Sequence, residues 1–201
     1  MNVGIIGRAR SGKDTAGRYF VDGHGYRRVA LADPLKEAAL RLDPYVHAYT
    51  SFCDEYDHET SEVRLSKVVK TEGWERAKDY PEVRRILQEF GASIRAIDED
   101  FWLRAALKRT QEINDYGVPV VITDVRYRNE AASLVRAGFH LIHIDRPGVP
   151  QLDHESERSL GPEDARYLVR NDEDLPELYA QLGRVWDEIY ALESARSLHV
   201  H

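Results

Sequence analysis

An α/β fold, three layers deep around a parallel sheet, is what this sequence predicts, and three observations predict it. Apolar runs of strand length alternate with helix-period segments from one end of the chain to the other. One of those runs, VPVVI at 118–122, is continuously apolar, as a strand covered on both faces must be. The first run, NVGII at 2–6, feeds into a glycine-bearing turn and then a helical pattern.

The elements follow in order. After NVGII, a helix starts near Asp14 and carries Phe20 and Val21 inward. GHGY at 23–26 breaks it. RRVALADP predicts a second strand ending near Ala32, and PLKEAALRL a helix with Pro34 in its first turn. Residues 43–80 are rich in Tyr, His, Asp and Glu with weak periodicity, and read as a flap of loop and short helices. Val83, Ile86, Leu87, Phe90, Ile94 and Ile97 recur at helical spacing, with Gly91 able to end or bend the helix, and a further helix runs from about Glu99 to Asn114. After the 118–122 strand, RNEAASLVRAG is a helix closed by Gly138, and FHLIHID is a strand. The polar stretch 146–160, bounded by prolines, reads as a mobile lid. RYLVRN is the last strand, and Leu175, Leu178, Leu182, Val185, Trp186 and Ile189 line one face of a terminal helix. That stripe is core or, alternatively, a homodimer interface.

Composition narrows the function. The 201-residue chain carries a net charge of −7, which argues against a nucleic-acid partner held by phosphate neutralisation but leaves room for a small phosphorylated substrate. Cys53 is the only cysteine, so no disulfide forms within the chain and a reducing cytoplasm is expected. No signal-peptide pattern and no apolar run of membrane-spanning length appears. HESER at 154–158 lacks the second histidine of a zinc motif, and His140 and His143 fall on opposite faces of their strand.

GIIGRARSGKDT, at 4–15, is the most informative stretch. Gly7, Gly12 and Lys13 have the spacing of a phosphate-binding loop, but Asp14 stands where Ser or Thr usually holds magnesium, and Thr15 follows one place late. Gly7 permits the sharp turn and Gly12 the close approach of backbone to phosphate; Arg10 and Ser11 complete the loop. The Gly-Lys-x-Thr order is similar to that of nucleoside monophosphate kinases of the adenylate kinase type, in which the metal is held largely through water. Magnesium tolerates such indirect contacts. Asp14 then meets the metal's hydration shell, or simply favours a helix N-terminus.

VVITDVRYRNE places Asp124 at the carboxyl end of a central strand, where ligands bind in open α/β sheets and where a carboxylate can hold magnesium. If the segment stays extended, Asp124, Arg126 and Arg128 share one side, and two guanidiniums there would stabilise a transferring phosphoryl group. Asp33 and Lys36 end the second strand and open a helix. Gln88 suits a base edge and Arg95 a phosphate, while Trp102 suits either base stacking or the core.

These pieces together resemble the bacteriophage deoxynucleoside monophosphate kinases, a branch of the phosphate-loop kinases. The resemblance rests on RSGKDT at 10–15, ADPLKE at 32–37, ILQEFGASIRAIDEDFW at 86–102, ITDVRYRNEA at 122–131, DHESE at 153–157 and VRND at 169–172. It is weakest between about 43 and 80. It implies one domain over 1–201: a three-layer phosphate-loop kinase core, a helical monophosphate-binding flap at about 43–97 and a lid at about 146–162. It implies transfer of the ATP γ-phosphoryl group to a dNMP, with Mg2+ required, in the cytoplasm of a phage host. By the same resemblance Lys13, Asp14, Thr15 and Arg126 are catalytic. Gly7, Arg10, Ser11, Gly12, Lys13, Asp14 and Thr15 bind ATP, joined by Arg158 and Arg170 at the lid and adenine end. Asp33, Lys36, Gln88, Arg95, Trp102, Asp124, Arg126 and Arg128 line the acceptor side, and Asp14 and Asp124 serve the metal. The alternatives are another small-molecule kinase, acting on dephospho-coenzyme A or phosphomevalonate, and a nucleotide-binding module without turnover.

Overall fold

The computed structural model describes residues 1–54, 57–149 and 159–198, with side chains described outside 48–61. The chain divides into two compact units, one formed by Met1–Leu31 with Leu103–His201 and the other by Ala32–Trp102.

The first unit holds the parallel sheet. Its elements are β1 (Asn2–Ile6), α1 (Lys13–His24) and β2 (Arg27–Val29); the second unit's α2 (Asp33–Leu42), β3 (Tyr45–Asp54), β4 (Asp57–Arg64), α3 (Leu65–Ala77) and α4 (Pro81–Ile97) follow. The helix α5 (Phe101–Asn114) leads back to β5 (Val120–Ile122), α6 (Arg128–Arg136), β6 (Phe139–Asp145), a 3-10 turn at Pro162–Asp164, β7 (Tyr167–Arg170) and α7 (Leu175–Leu198). The strand order is β2-β5-β1-β6-β7, and every neighbouring pair is parallel. In β1, Val3 faces Val121 of β5 and His140 of β6, so the strand before the phosphate loop lies in the middle of the sheet.

Alternation along β1 and β6 sorts the core into two faces. Val3, Ile5, Ile142 and Ile144 pack against Ala16 and Phe20 of α1 and against Leu178, Leu182, Val185 and Ile189 of α7. On the other face, Ile6, Phe139 and Leu141 pack against Leu103 and Ala106 of α5 and against Ala131 and Leu134 of α6. Each fully buried Val, Leu, Ile or Phe among them contributes about 1.5–3 kcal/mol. The apolar stripe of the terminal helix is therefore core, although Leu175 at its start remains exposed.

The second unit corrects one expectation. Tyr45–Asp54 and Asp57–Arg64 are not loop and short helix but two antiparallel strands, β3 against β4, in a register running from Tyr45 opposite Arg64 to Asp54 opposite Asp57. The aromatic and β-branched residues of YVHAYTSF favour strand, yet polar residues on both faces erase the alternation by which a half-buried strand is recognised. Side-chain contacts fasten the hairpin's base. Arg64 donates to the Asp43 carbonyl (2.9 Å) and the Tyr45 hydroxyl (3.0 Å), its guanidinium lies 4.3 Å from the Tyr45 ring centroid, and the Ser66 N–H donates to the Asp43 carboxylate (2.8 Å). Val46, Leu65, Val68, Ala77 and Val83 form a small core with Ala39. The flap thus combines a hairpin with helices. Gly91 does not end α4; it is buried, and a Cβ there would sit 3.0 Å from Leu35 Cδ2.

Candidate active site

The phosphate loop occupies Gly7–Gly12 between β1 and α1. Gly7 has φ +141°, and a Cβ on it would lie 2.5 Å from the Ile144 carbonyl of β6. Gly12 caps α1 with φ +104°, and a Cβ there would run into the Asn171 side-chain amide. Both positions therefore need glycine for backbone conformation and for space. Arg10 also takes a positive φ of 63°, a local strain of the kind found at functional turns. The Ser11 hydroxyl is buried with no hydrogen-bond partner among the described residues, close enough to Gly7 to touch any side chain there.

Lys13 reaches back over the loop. Its ammonium donates to the carbonyls of Gly7 (2.7 Å) and Arg8 (2.6 Å). Thr15 is half-buried in the first turn of α1, and Asp14 is exposed there. The Thr123 hydroxyl donates to Asp14 Oδ1 (3.1 Å), which joins the end of β5 to the first turn of α1.

Asp124 follows Thr123. Its carboxylate accepts from the Leu31 N–H at 2.9 Å, so one of its oxygens secures the chain just beyond β2. Val125 is buried, and Arg126 projects its guanidinium to solvent with no hydrogen bond or ion pair among the described residues. The backbone N–H groups of Arg126 (2.7 Å) and Tyr127 (3.0 Å) donate to Glu130 Oε2, a side chain reaching back from the third position of α6. Burial pushes the Glu130 carboxyl above the usual carboxylate range, and those two N–H groups oppose the rise.

Arg128 does not continue an extended segment with Asp124 and Arg126. It opens α6, and its Nε donates to the Ser159 carbonyl (3.0 Å), with Glu163 and Asp164 at 3.7 and 3.9 Å. Helix capping by Glu130 ends the alternation that would have aligned the three residues. Arg170 ends β7 and pairs with Asp172 (3.0 Å). The next residue, Asn171, donates to the Ser11 carbonyl at 2.8 Å. Arg158 lies outside the described residues, as do His154, Glu155 and Glu157 of the lid segment.

The remaining candidates belong to the second unit. Lys36 and Asp33 sit in the first turn of α2, 3.9 Å apart, and the Lys36 ammonium stands 5.8 Å from the Trp74 ring centroid. Gln88, Gly91 and Arg95 share one face of α4; Gln88 and Arg95 are exposed, and the Arg95 guanidinium lies along Gly91. Trp102 is 8% exposed, donates Nε1–H to the Gly91 carbonyl (3.3 Å), and meets Phe90 and Phe101 edge-on. Its ring belongs to the packing of this unit.

Three participants escape a reading of the motifs: Arg28, Thr123 and Asn171. Thr123 and Asn171 each follow a core strand at its carboxyl end, the position that signalled Asp124, so strand ends were the available clue. Arg28 lies inside a strand and carries no such signal.

Comparison with known proteins adds to this geometry. The family model for deoxynucleotide monophosphate kinase matches residues 43–182, a stretch that includes the 43–80 segment for which the motifs offer no counterpart. A protein of Acanthamoeba polyphaga mimivirus described as a candidate deoxynucleotide monophosphate kinase is 29% identical over 188 residues, covering 90% of this chain and 93% of its own. The deoxynucleotide monophosphate kinase of Escherichia phage RB69 is 28% identical over 107 residues, 51% of this chain and 44% of its own. A dephospho-CoA kinase structure from Campylobacter jejuni aligns over 94% of this chain and 96% of its own, at 15% identity and a TM-score of 0.47. No helix among the described residues is long and apolar enough to cross a membrane. With a phosphate loop on the central strand and the family match running through the hairpin, both arginine-bearing strand ends and the start of the last helix, this chain belongs to the deoxynucleotide monophosphate kinase family.

Proposed function

We propose that the protein transfers the γ-phosphoryl group of ATP to the 5′-phosphate of a deoxynucleoside monophosphate, yielding the diphosphate and ADP. The observation that carries this reading is the Thr123–Asp14 contact, because it brings the segment bearing Arg126 beside the first turn of the phosphate-loop helix. The acceptor phosphate is already anionic, so a strong general base is not required; alignment and neutralisation of charge supply the acceleration.

In this reading the N–H groups of the loop and the N-terminus of α1 face the donor phosphates. Lys13 exchanges its two loop carbonyls for phosphate oxygens. Arg126, held at its backbone by Glu130 and unpaired at its guanidinium, meets the transferring group. By the family resemblance Lys36, Gln88 and Arg95 are the acceptor-side candidates, and Arg170 is a donor-side one. The donor set fits magnesium. Among the described residues no group of three or more metal-ligating side chains occurs, and Asp14 is the carboxylate in the first turn of the loop helix. Magnesium keeps several waters and takes one or two carboxylates with substrate phosphates. Asp14 would hold the ion there through water, and the ion would offset charge developing on the phosphates. The host cytoplasm, where nucleotide pools lie, is the compartment this activity implies.

The test is an assay of ADP release with ATP, magnesium and each of the four deoxynucleoside monophosphates, with dephospho-coenzyme A as a comparison acceptor. ADP release dependent on at least one deoxynucleotide supports the reading. Release with dephospho-coenzyme A alone, or with no acceptor, rejects it.

A further inference from the structure

Asp14 is the departure from the usual phosphate loop, and two residues outside the loop hold it. Its Oδ1 accepts from the Thr123 hydroxyl (3.1 Å) and from Arg28 Nη2 (3.4 Å), while Arg28 Nε donates to Thr123 Oγ1 (3.3 Å). The three side chains close a ring that joins α1, β2 and the end of β5. Thr123 is buried, and its methyl group lies against Gly17, where a Cβ would be only 2.5 Å away; this contact fixes the side chain and aims the hydroxyl. Arg28 and Asp14 are 50% and 80% exposed, so their pairing contributes little to stability. What the ring does is orient. With Oδ1 engaged twice, Oδ2 has no partner among the described residues, and it stands in the first turn of the helix whose N-terminus faces the loop.

We propose that Thr123 and Arg28 are positioning residues for the divalent cation of the donor nucleotide: by pinning Asp14 Oδ1 they present Oδ2 to a water of the hydrated metal. This rests on the reading of the loop as a magnesium–ATP cradle. Partners that orient a metal-side carboxylate typically govern metal affinity by about 10- to 100-fold. Plain electrostatics predicts the opposite sign for Arg28, because deleting a cation near a metal should strengthen metal binding.

The experiment uses Mn2+ as the probe, titrated into the full-length protein with a non-hydrolysable ATP analogue and followed by electron paramagnetic resonance. Analogue affinity in excess EDTA is measured beside it. Thr123→Val, which keeps the shape and the methyl contact, and Arg28→Gln are each expected to weaken Mn2+ binding about tenfold or more. Analogue affinity in EDTA is expected to stay at the wild-type value. Arg28→Lys, which lacks the fork needed to reach both partners, is expected to fall between wild type and Arg28→Gln. Wild-type Mn2+ affinity in Thr123→Val and Arg28→Gln overturns the proposal, as does tighter binding in Arg28→Gln, which would make Arg28 a competitor of the metal. If the wild type itself binds neither the analogue nor Mn2+ with it, the cradle reading fails first and the proposal falls with it. Arg28→Gln is a surface change in a half-exposed side chain, so the question stays answerable if Thr123→Val folds poorly.

Discussion

Asn171, just past the last strand of the sheet, donates its side-chain amide to the carbonyl of Ser11 at 2.8 Å and closes off the space beside Gly12. Its own N–H donates to the Asp145 carbonyl at 2.7 Å, so the residue is fixed to β6 while it braces the phosphate loop. This brace predicts a donor-side phenotype. Asn171→Ala is expected to cost roughly 1 kcal/mol of stability and to raise the KM for ATP severalfold with little change in kcat. Asn171→Asp, which replaces the donor by a carboxylate against a carbonyl, is expected to do worse. Steady-state kinetics against ATP decides this; an unchanged KM in both variants means the brace is irrelevant to the loop.

Lys13 and Arg126 separate binding from transfer. Lys13→Ala is expected to abolish turnover while the thermal midpoint stays near wild type, because Lys13 lies at the partly exposed start of α1 and its ammonium donates to the loop carbonyls of Gly7 and Arg8 rather than packing in the core. Arg126→Ala is expected to keep ATP binding and lose on the order of 10³-fold in kcat. Near-normal turnover in Arg126→Ala would remove it from the chemistry.

The pH dependence of stability has a defined sign above the carboxylate range. Burial pulls His140 and His143 below the usual histidine value, with Glu193 opposing at His140 and Asp145 and Glu163 opposing at His143. The folded chain therefore holds fewer protons than the unfolded chain between the folded values and about 6.5. Stability from these groups is present above about pH 6.5 and is lost as pH falls through the folded values. Urea midpoints at pH 7 and pH 5.5 are expected to show the loss. His143→Leu, which removes a buried ring whose Nδ1 has no hydrogen-bond partner among the described residues, is expected to reduce it, and an unaltered pH slope would count against burial as the cause.

Leu182 tests the role of the terminal helix. It is fully buried between α7 and the sheet, and Leu182→Ala is expected to cost about 2–5 kcal/mol in denaturant unfolding. A change below about 0.5 kcal/mol, the range of ordinary surface substitutions, would mean that the helix is not core.

The parallel sheet was legible because its strands are short apolar runs, and the phosphate loop because glycine spacing follows a buried strand. The paired strands β3 and β4 were not, since strands polar on both faces leave no period to read. Arg128 misled for a related reason: alternation holds only while a segment stays extended, and Glu130 turns it into helix. Trp102 has a spacing compatible with core or ligand, and only its bond to Gly91 shows how the ring is used. Thr123 meets Arg28 and Asp14 across 95 and 109 residues, and Asn171 meets Ser11 across 160, pairings that no local pattern encodes.

The most direct measurement of the central claim follows the phosphoryl group itself. ATP labelled in its γ-phosphate is incubated with the protein, magnesium and a deoxynucleoside monophosphate, and the products are separated. The account predicts label in the deoxynucleoside diphosphate, one for each ADP formed. Label recovered only as inorganic phosphate, or left entirely in ATP by a folded protein given all four acceptors, would contradict it.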